Sequence, residues 1–126
     1  MKRLLLMSAL IISTVNAKVI HFSATRNESA LQAFNKQIST GNVVVDFYAD
    51  WCGPCKSLAP KFVSLSNECS KVTFIKVNVD SYKEISQQFK VRSLPSILFF
   101  KDGKRIDTVT GNLPNDIKTK IKKHFG

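Results

Sequence analysis

Two cysteines separated by two residues are the first feature of this sequence that could do chemistry. Cys52 and Cys55 flank Gly53-Pro54, and an apolar pattern of helical period follows them, so the pair opens a helix. At a helix start, free backbone N–H groups and the positive end of the helix dipole stabilise a thiolate and lower the pKa of a cysteine. Cys52 is therefore predicted to attack a disulfide near neutral pH. Cys55, one turn further on, is predicted to resolve the mixed disulfide.

Two other readings of the same spacing stay open at this point, because half of a zinc site or a structural disulfide also carries Cys-x-x-Cys. A zinc site would need ligands from other elements, Cys69, His21 or His124, since no second Cys-x-x-Cys follows. A disulfide closing so small a ring restricts the unfolded chain little. No metal site is predicted. Cys69 is expected to be a small buried hydrophobe, and the two histidines to lie at a strand end and on a helix surface.

A carboxyl group interrupts the apolar run at 43–48. Asp46 lies in this β-branched segment, which is typical of a strand buried on both faces. Burial disfavours the charged form of a carboxyl and raises its pKa, so Asp46 could accept a proton near neutrality. The alternative is an aspartate at a strand end that reaches solvent.

Hydrophobic periodicity predicts the elements that must position these residues. Strands are expected at 18–22, 43–48, 72–79, 96–100 and 105–110, and helices at 27–39, from Pro54 or Cys55 to about 69, at 81–89 and at 116–125. The order βαβαβαββα is typical of helices packed on both sides of a mixed sheet. A chain of 126 residues, 44% hydrophobic and 22% charged, has the composition of one folded domain rather than of a disordered chain or a multidomain enzyme.

The first residues follow the pattern of a secretory signal peptide. Lys2-Arg3 precedes an apolar run at 4–15, and Ala17 is a small residue where a signal peptidase could cut. The run is shorter than the roughly 20 residues that span a bilayer. We therefore predict a signal peptide at 1–17, a mature domain at 18–126, export to the periplasm or the cell exterior, and no stable membrane insertion after cleavage. An uncleaved N-terminal anchor is the alternative.

The segment around the cysteines resembles the active-site segment of thioredoxins. Residues 45–56 read Val-Asp-Phe-Tyr-Ala-Asp-Trp-Cys-Gly-Pro-Cys-Lys. Further matches to the family are Ala59-Pro60, Val77-Asn78-Val79-Asp80, Leu94-Pro95-Ser96, Phe99-Phe100-Lys101-Asp102-Gly103 and Gly111. The resemblance covers essentially residues 18–126. It implies an α/β thioredoxin fold, with a central mixed five-stranded sheet flanked by four helices, and dithiol–disulfide exchange as the activity.

The resemblance also implies roles for residues near the dithiol. Asp46 would lie behind the cysteines and take the proton of Cys55, and Lys76 matches the family's lysine near that aspartate. An ordinary exposed strand lysine is the alternative for Lys76. Pro95 matches a cis proline that faces the disulfide, and Leu94 matches the residue whose backbone pairs with an extended substrate.

A shallow apolar groove around an exposed Cys52 follows from the same resemblance. Its predicted lining consists of Trp51, Gly53, Pro54, Leu94, Pro95 and Gly111. Such a groove suits protein disulfides better than small molecules. A turn glycine is the alternative for Gly111.

Gly-Pro between the cysteines resembles the reducing thioredoxins, so a protein-disulfide reductase is predicted, with the Cys52–Cys55 dithiol as its redox group and no further cofactor. Export would place it in an oxidising compartment.

The expected partners are disulfide-containing client proteins and a thioredoxin reductase or membrane electron donor. Net charge is +10, but no aromatic stacking set accompanies the basic tail, so nucleic acid is not expected. A monomer is expected. The alternative function is a redox-inert thioredoxin-fold module that binds or chaperones chains.

Overall fold

The structure, a computed structural model, describes residues 19–126. Its five strands are β1 (Val19–His21), β2 (Asn42–Tyr48), β3 (Thr73–Asn78), β4 (Ser96–Lys101) and β5 (Lys104–Thr110). Its four helices are α1 (Ala30–Gln37), α2 (Gly53–Glu68), α3 (Lys83–Gln88) and α4 (Pro114–Phe125). The predicted order of elements is confirmed, and the predicted signal peptide at 1–17 lies outside the described residues. Between residues 19 and 126, no helix combines the length and apolar character that crossing a membrane requires.

The five strands form one mixed sheet in the order β1-β3-β2-β4-β5. β1 and β2 both pair with β3 in parallel, whereas β4 is antiparallel to β2 and β5 is antiparallel to β4. The register places Asp46 of β2 beside Lys76 of β3. The predicted five-stranded sheet flanked by four helices is therefore confirmed.

Alternation along β2 divides the core into two halves. Val43, Val45 and Phe47 face one side, where α1 contributes Phe34 and α3 contributes Ile85. Val44 faces the other side, against a cluster to which α2 contributes Leu58 and Phe62 and α4 contributes Ile117. Because both faces of β2 are packed against helices, its carboxyl end holds the segment that follows, which contains Cys52, in one position.

α4 is tied to the edge strand β5 by polar contacts around Asp107. The Asp107 carboxylate accepts hydrogen bonds from Lys120 Nζ and His124 Nε2, both at 2.7 Å. His124 is half-buried, so the expectation that it lies on the helix surface is wrong. Its acidic partner comes from a strand 17 residues earlier, and spacing along one helix could not show that contact.

Candidate active site

The two cysteines are placed by the junction between β2 and α2. Cys52 is the N-cap residue of α2, and its Sγ accepts a hydrogen bond of 3.2 Å from the backbone N–H of Cys55. The sulfurs of Cys52 and Cys55 are joined in a disulfide, with their Cα atoms 5.2 Å apart. Pro54 lies in the first turn, where its missing N–H costs no helical hydrogen bond. The prediction that the pair opens a helix is confirmed. Cys52 Sγ accepts a hydrogen bond from one of the backbone N–H groups that the first turn of α2 leaves unpaired.

Neither cysteine is freely exposed. Cys52 is 5% exposed and Cys55 2%, because both pack with Ala49 against the side chains of Tyr48 and Leu94. The expectation of an exposed Cys52 is therefore wrong. The two cysteines still differ in access, since Cys52 lines an open cavity of about 420 Å³ and Cys55 does not.

The cavity beside Cys52 contains four of the predicted groove residues. Its lining comprises Trp51, Cys52, Gly53, Pro54, Val79, Ser86, Val91, Arg92, Ser93 and Leu94. Trp51 is 70% exposed, and its Nε1–H donates a 2.9 Å hydrogen bond to Asp80 Oδ2, which fixes one end of the ring. Val79, Ser86 and residues 91–93 also line the cavity and were not predicted. Residues 91–93 directly precede Leu94-Pro95 in the chain and could have been included on that ground.

Pro95 and Gly111 were predicted to line the groove but do not belong to the lining of this cavity. The Leu94–Pro95 peptide bond is cis, as the resemblance implies, and Pro95 is buried. The Pro95 carbonyl accepts a 2.8 Å hydrogen bond from the Gly111 N–H. Gly111 has a φ of +106°, so it also meets the conformational requirement of a turn glycine. Contact of these two residues with a client stays a prediction.

Asp46 is fully buried in the middle of the sheet. Neither of its carboxylate oxygens has a hydrogen-bond partner among residues 19–126. Burial raises the pKa of Asp46 from 3.8 to about 7, against a smaller opposing effect of the Lys76 charge. The alternative of an aspartate that reaches solvent is therefore wrong, and burial places the pKa of this carboxyl group near neutral pH.

Lys76 is half-buried beside Asp46 in the sheet register. Its Nζ lies 4.3 Å from the centroid of the Tyr48 ring, a cation–π distance. An ordinary exposed strand lysine therefore does not describe it. It supplies the positive charge that acts on the Asp46 carboxyl group.

Cys69 is remote from the disulfide. It is the C-cap of α2, whose 16 residues place it about 24 Å from the N-terminal end of that helix. Cys69 is free and half-buried rather than buried, because it stands where the helix ends. Burial raises the pKa of its thiol. Nowhere in the stretch from Val19 onwards do three His, Cys, Asp or Glu side chains form a group able to hold a metal.

Comparison with known proteins matches most of the chain to one family. The thioredoxin family model matches residues 16–123. The chain is 39% identical over 100 residues to an H-type thioredoxin of Ricinus communis, and the alignment covers 75% of this chain and 85% of the relative. It is 48% identical over 81 residues to a thioredoxin of Mycoplasmoides gallisepticum, covering 64% of this chain and 81% of the relative. Among solved structures, thioredoxin NaTrxh from Nicotiana alata superposes with a TM-score of 0.77 at 33% identity, covering 85% of this chain and 92% of that one.

Proposed function

The chain belongs to the thioredoxin family, and from that premise we propose that it works as an exported, monomeric reductase of protein disulfides. Its activity is that of a thiol–disulfide oxidoreductase acting through Cys52 and Cys55. The observation that carries this function is the disulfide across the first turn of α2, with only Cys52 at the open cavity. A redox-inert binding module would need neither this pair nor a buried titratable carboxyl group.

Reduction of a client disulfide proceeds in two exchanges. The Cys52 thiolate attacks one client sulfur, the Cys52–client bond forms, and the other client sulfur leaves as a thiolate. The Cys55 thiolate then attacks Cys52 Sγ, closes the Cys52–Cys55 disulfide and releases the second client thiolate. Two electrons pass to the client. The N–H of Cys55 and the dipole of α2 favour negative charge on Cys52 at the start of the cycle.

In this proposal Asp46 takes the proton that Cys55 must lose in the second exchange, directly or through water. A general base works best when its pKa lies near the operating pH. The pKa of about 7 meets that condition, and it follows from burial in the sheet rather than from an acidic neighbour. Lys76 is a positioning residue in the same proposal, since its charge favours the ionised form of Asp46.

The client is proposed to lie extended across the cavity and pair with the backbone at Leu94. The cavity is open and its lining is mainly apolar around Trp51, Pro54 and Leu94, which suits a protein segment. Thioredoxins act on disulfide-containing substrates and are reduced by thioredoxin reductase. For an exported chain, we propose that a membrane electron donor or a reductase in the same compartment restores the dithiol.

Insulin reduction tests the reductase activity. With dithiothreitol as the electron source, wild type should accelerate the precipitation of insulin B chains, and Cys52→Ser should fall to the background rate. Cys69→Ser is the matched control, because it removes a thiol at the other end of α2 and should keep the wild-type rate. Equal rates for wild type and Cys52→Ser would support the redox-inert module instead.

Export is supported by the N-terminal pattern of Lys2-Arg3, an apolar run and Ala17. Mass spectrometry of the protein purified from its source organism should find Lys18 as the first residue, in the periplasmic or extracellular fraction. A variant lacking residues 2–17 should remain in the cytoplasm. Recovery of the wild-type chain from the cytoplasm with Met1 or Lys2 at its N-terminus would contradict the proposal.

The proposed electron donor can be tested in the same fractions. Acid quenching followed by alkylation with a mass-tagged maleimide separates the reduced dithiol from the disulfide. A recharged reductase should be largely reduced even though its compartment is oxidising. A chain found wholly as the disulfide would contradict the recharging proposal while leaving the activity on insulin in place.

A further inference from the structure

The cavity beside the disulfide contains one charged side chain that the reductase cycle does not use. Arg92 lines the cavity together with apolar side chains and the small polar residues Ser86 and Ser93. It is exposed, and it stands two residues before Leu94. Within residues 19–126, no other lysine, arginine or acidic residue belongs to the lining. Arg92 is therefore the one lysine, arginine or acidic residue in the cavity lining that this part of the chain provides.

Among residues 19–126, no carboxylate forms a salt bridge with the Arg92 guanidinium. The salt bridges found between residues 19 and 126 join Lys118 to Glu68, and both Lys120 and His124 to Asp107. The Asp80 carboxylate accepts the hydrogen bond of the Trp51 indole. Arg105 shows the contrast, because its Nη1 donates to the Phe89 carbonyl at 3.0 Å. Arg92 is left able to bind a group that arrives with the client.

We propose that Arg92 recognises a carboxylate of the client, so that the preferred substrates are protein disulfides with Asp or Glu near the attacked cysteine. This inference rests on the proposed reductase function and names a substrate class for it. A guanidinium presents parallel N–H donors that match a carboxylate in a bidentate geometry. Arg92 precedes Leu94 by two residues in the same cavity lining, so its guanidinium lies near a client segment that pairs at Leu94.

The expected preference is modest because the cavity is open to water. An exposed ion pair contributes little in a high dielectric, and its contribution falls as salt screens the charges. We expect an acidic client to react about three- to fivefold faster than its neutral isostere at low salt. A client with lysine at the same position should react slowest, since like charges repel.

Matched peptides test the inference directly. Each peptide carries one cysteine as a mixed disulfide with 2-thiopyridine. In one series the residue two positions before the cysteine is Glu, Gln or Lys, and in a second series the residue two positions after it is varied in the same way. When Cys52 bonds to the peptide sulfur, the bond to the thiopyridyl sulfur breaks and 2-thiopyridone leaves with a measurable absorbance. Second-order rates are taken in stopped flow with reduced wild type, Arg92→Gln and Lys104→Gln. Lys104 is exposed on β5 outside the cavity, so its variant loses the same net charge without touching the site.

The inference is supported if the Glu peptide is the fastest for wild type and Lys104→Gln, if Arg92→Gln abolishes the preference, and if high salt reduces it. Equal rates for the Glu and Gln peptides with wild type would overturn it. A preference that survives in Arg92→Gln would also overturn it, because the selectivity would then come from elsewhere. If wild type releases no thiopyridone from any peptide, the proposed reductase function fails and this inference fails with it.

Discussion

Cys52 and Cys55 carry unequal roles because of where their sulfurs lie, not because of their exposed area. Both are nearly buried, but only Cys52 borders the cavity, and its Sγ accepts the backbone N–H of Cys55 in the first turn of α2. The sequence predicted the helix start and hence the order of attack. It could not predict the small exposed area, which depends on how Tyr48 and Leu94 pack across the chain.

Alkylation of the reduced protein tests this inequality. Iodoacetamide near pH 7 should modify Cys52 first, because its thiolate is stabilised and open to the cavity. Cys69, with a pKa raised by burial, should react later, and Cys55 last. Peptide mapping by mass spectrometry after short reaction times gives the order. First modification at Cys55 would reverse the assignment of nucleophile and resolving thiol.

Replacing either cysteine by serine should give two different defects. Cys52→Ser should lose the first exchange altogether. Cys55→Ser should complete the first exchange and then accumulate covalent adducts with client proteins, because nothing attacks Cys52 Sγ. Non-reducing electrophoresis of each variant incubated with a disulfide client shows the adducts, and Cys69→Ser should show none. Adducts formed by Cys52→Ser would contradict the mechanism.

The burial of Asp46 and the direction of its pKa shift could both be predicted from the sequence. A carboxyl inside a run of valines predicted burial and a raised pKa, and the structure has both. Arg92 carried no such signal, because an arginine ahead of an apolar strand is usually a solvated residue. Its position at the cavity depends on the path of the chain between α3 and β4.

Removing the Asp46 carboxyl group should stabilise the oxidised protein in a pH-dependent way. The pKa of Asp46 is about 7 in the folded protein and 3.8 in the unfolded chain, so the unfolded chain loses this proton at lower pH. The free energy of unfolding therefore falls as pH rises between these two values. At pH 8 the penalty is on the order of 4 kcal/mol, and at pH 4 it is nearly absent. Urea unfolding should therefore show a gain from Asp46→Ala at pH 8 that exceeds its effect at pH 4. The same pH dependence in both proteins would contradict the buried, titrating carboxyl group.

Asp46→Ala should also slow turnover while it stabilises the fold, because the second exchange loses its proton acceptor. Single-turnover reduction of a disulfide client separates the two exchanges, and only the release of the second thiol should slow. The rate of that step in wild type should rise with pH through about 7 and lose this dependence in the variant. An unchanged rate of release would remove the proposed base role.

At the scale of elements, hydrophobic periodicity located all nine, and the ends moved for identifiable reasons. α1 was expected from residue 27, but it begins at Ala30 because the Ser29 side chain accepts the Gln32 N–H and caps it there. α4 begins earlier than expected, at Pro114, a residue suited to the first turn of a helix. The sequence carried no signal for the polar attachment of α4 to β5, because its partners lie far apart in the chain.

Asp107→Asn tests that attachment. Partial burial works against its charge, but hydrogen bonds from Lys120, His124 and Thr108 hold the Asp107 pKa well below its usual range. A lowered pKa contributes stability above the unfolded value of 3.8, which is lost as pH falls through the folded pKa. The variant should lose about 1–2 kcal/mol of unfolding free energy at pH 7, and the loss should shrink below about pH 4.

Urea unfolding across this pH range measures the loss, with the exposed Asp50→Asn as a control for the removal of one negative charge. Asp50→Asn should stay within about 0.5 kcal/mol of wild type. Equal effects of the two substitutions at pH 7 would show that the contacts between β5 and α4 contribute no stability.

At the scale of the whole molecule, two hydrophobic clusters on opposite faces of one sheet account for the domain. Their buried members lie between Phe22 and Ile121. The composition and the order of elements predicted this arrangement. The order of strands within the sheet, β1-β3-β2-β4-β5, was not predicted, because local patterns do not determine which strands are neighbours.

A chain that begins at Lys18 should therefore fold and work like the full sequence. Its urea midpoint and its insulin-reduction rate should match those of the longer chain, since both clusters are retained. The comparison requires both proteins in the same buffer with the disulfide closed for the unfolding measurement. A clear drop in the midpoint of the shorter chain would show that residues before Lys18 contribute to the domain.

Because Cys69 is remote from the dithiol, its thiol can be used to attach the protein to a solid support. Of the three cysteines, two are joined in the oxidised protein, and Cys69 is the single free thiol. A maleimide linker applied to that form would couple the domain to a bead or an electrode at the far end of α2. The catalytic face would then point away from the support, and the immobilised protein could be reduced and used as a column reagent.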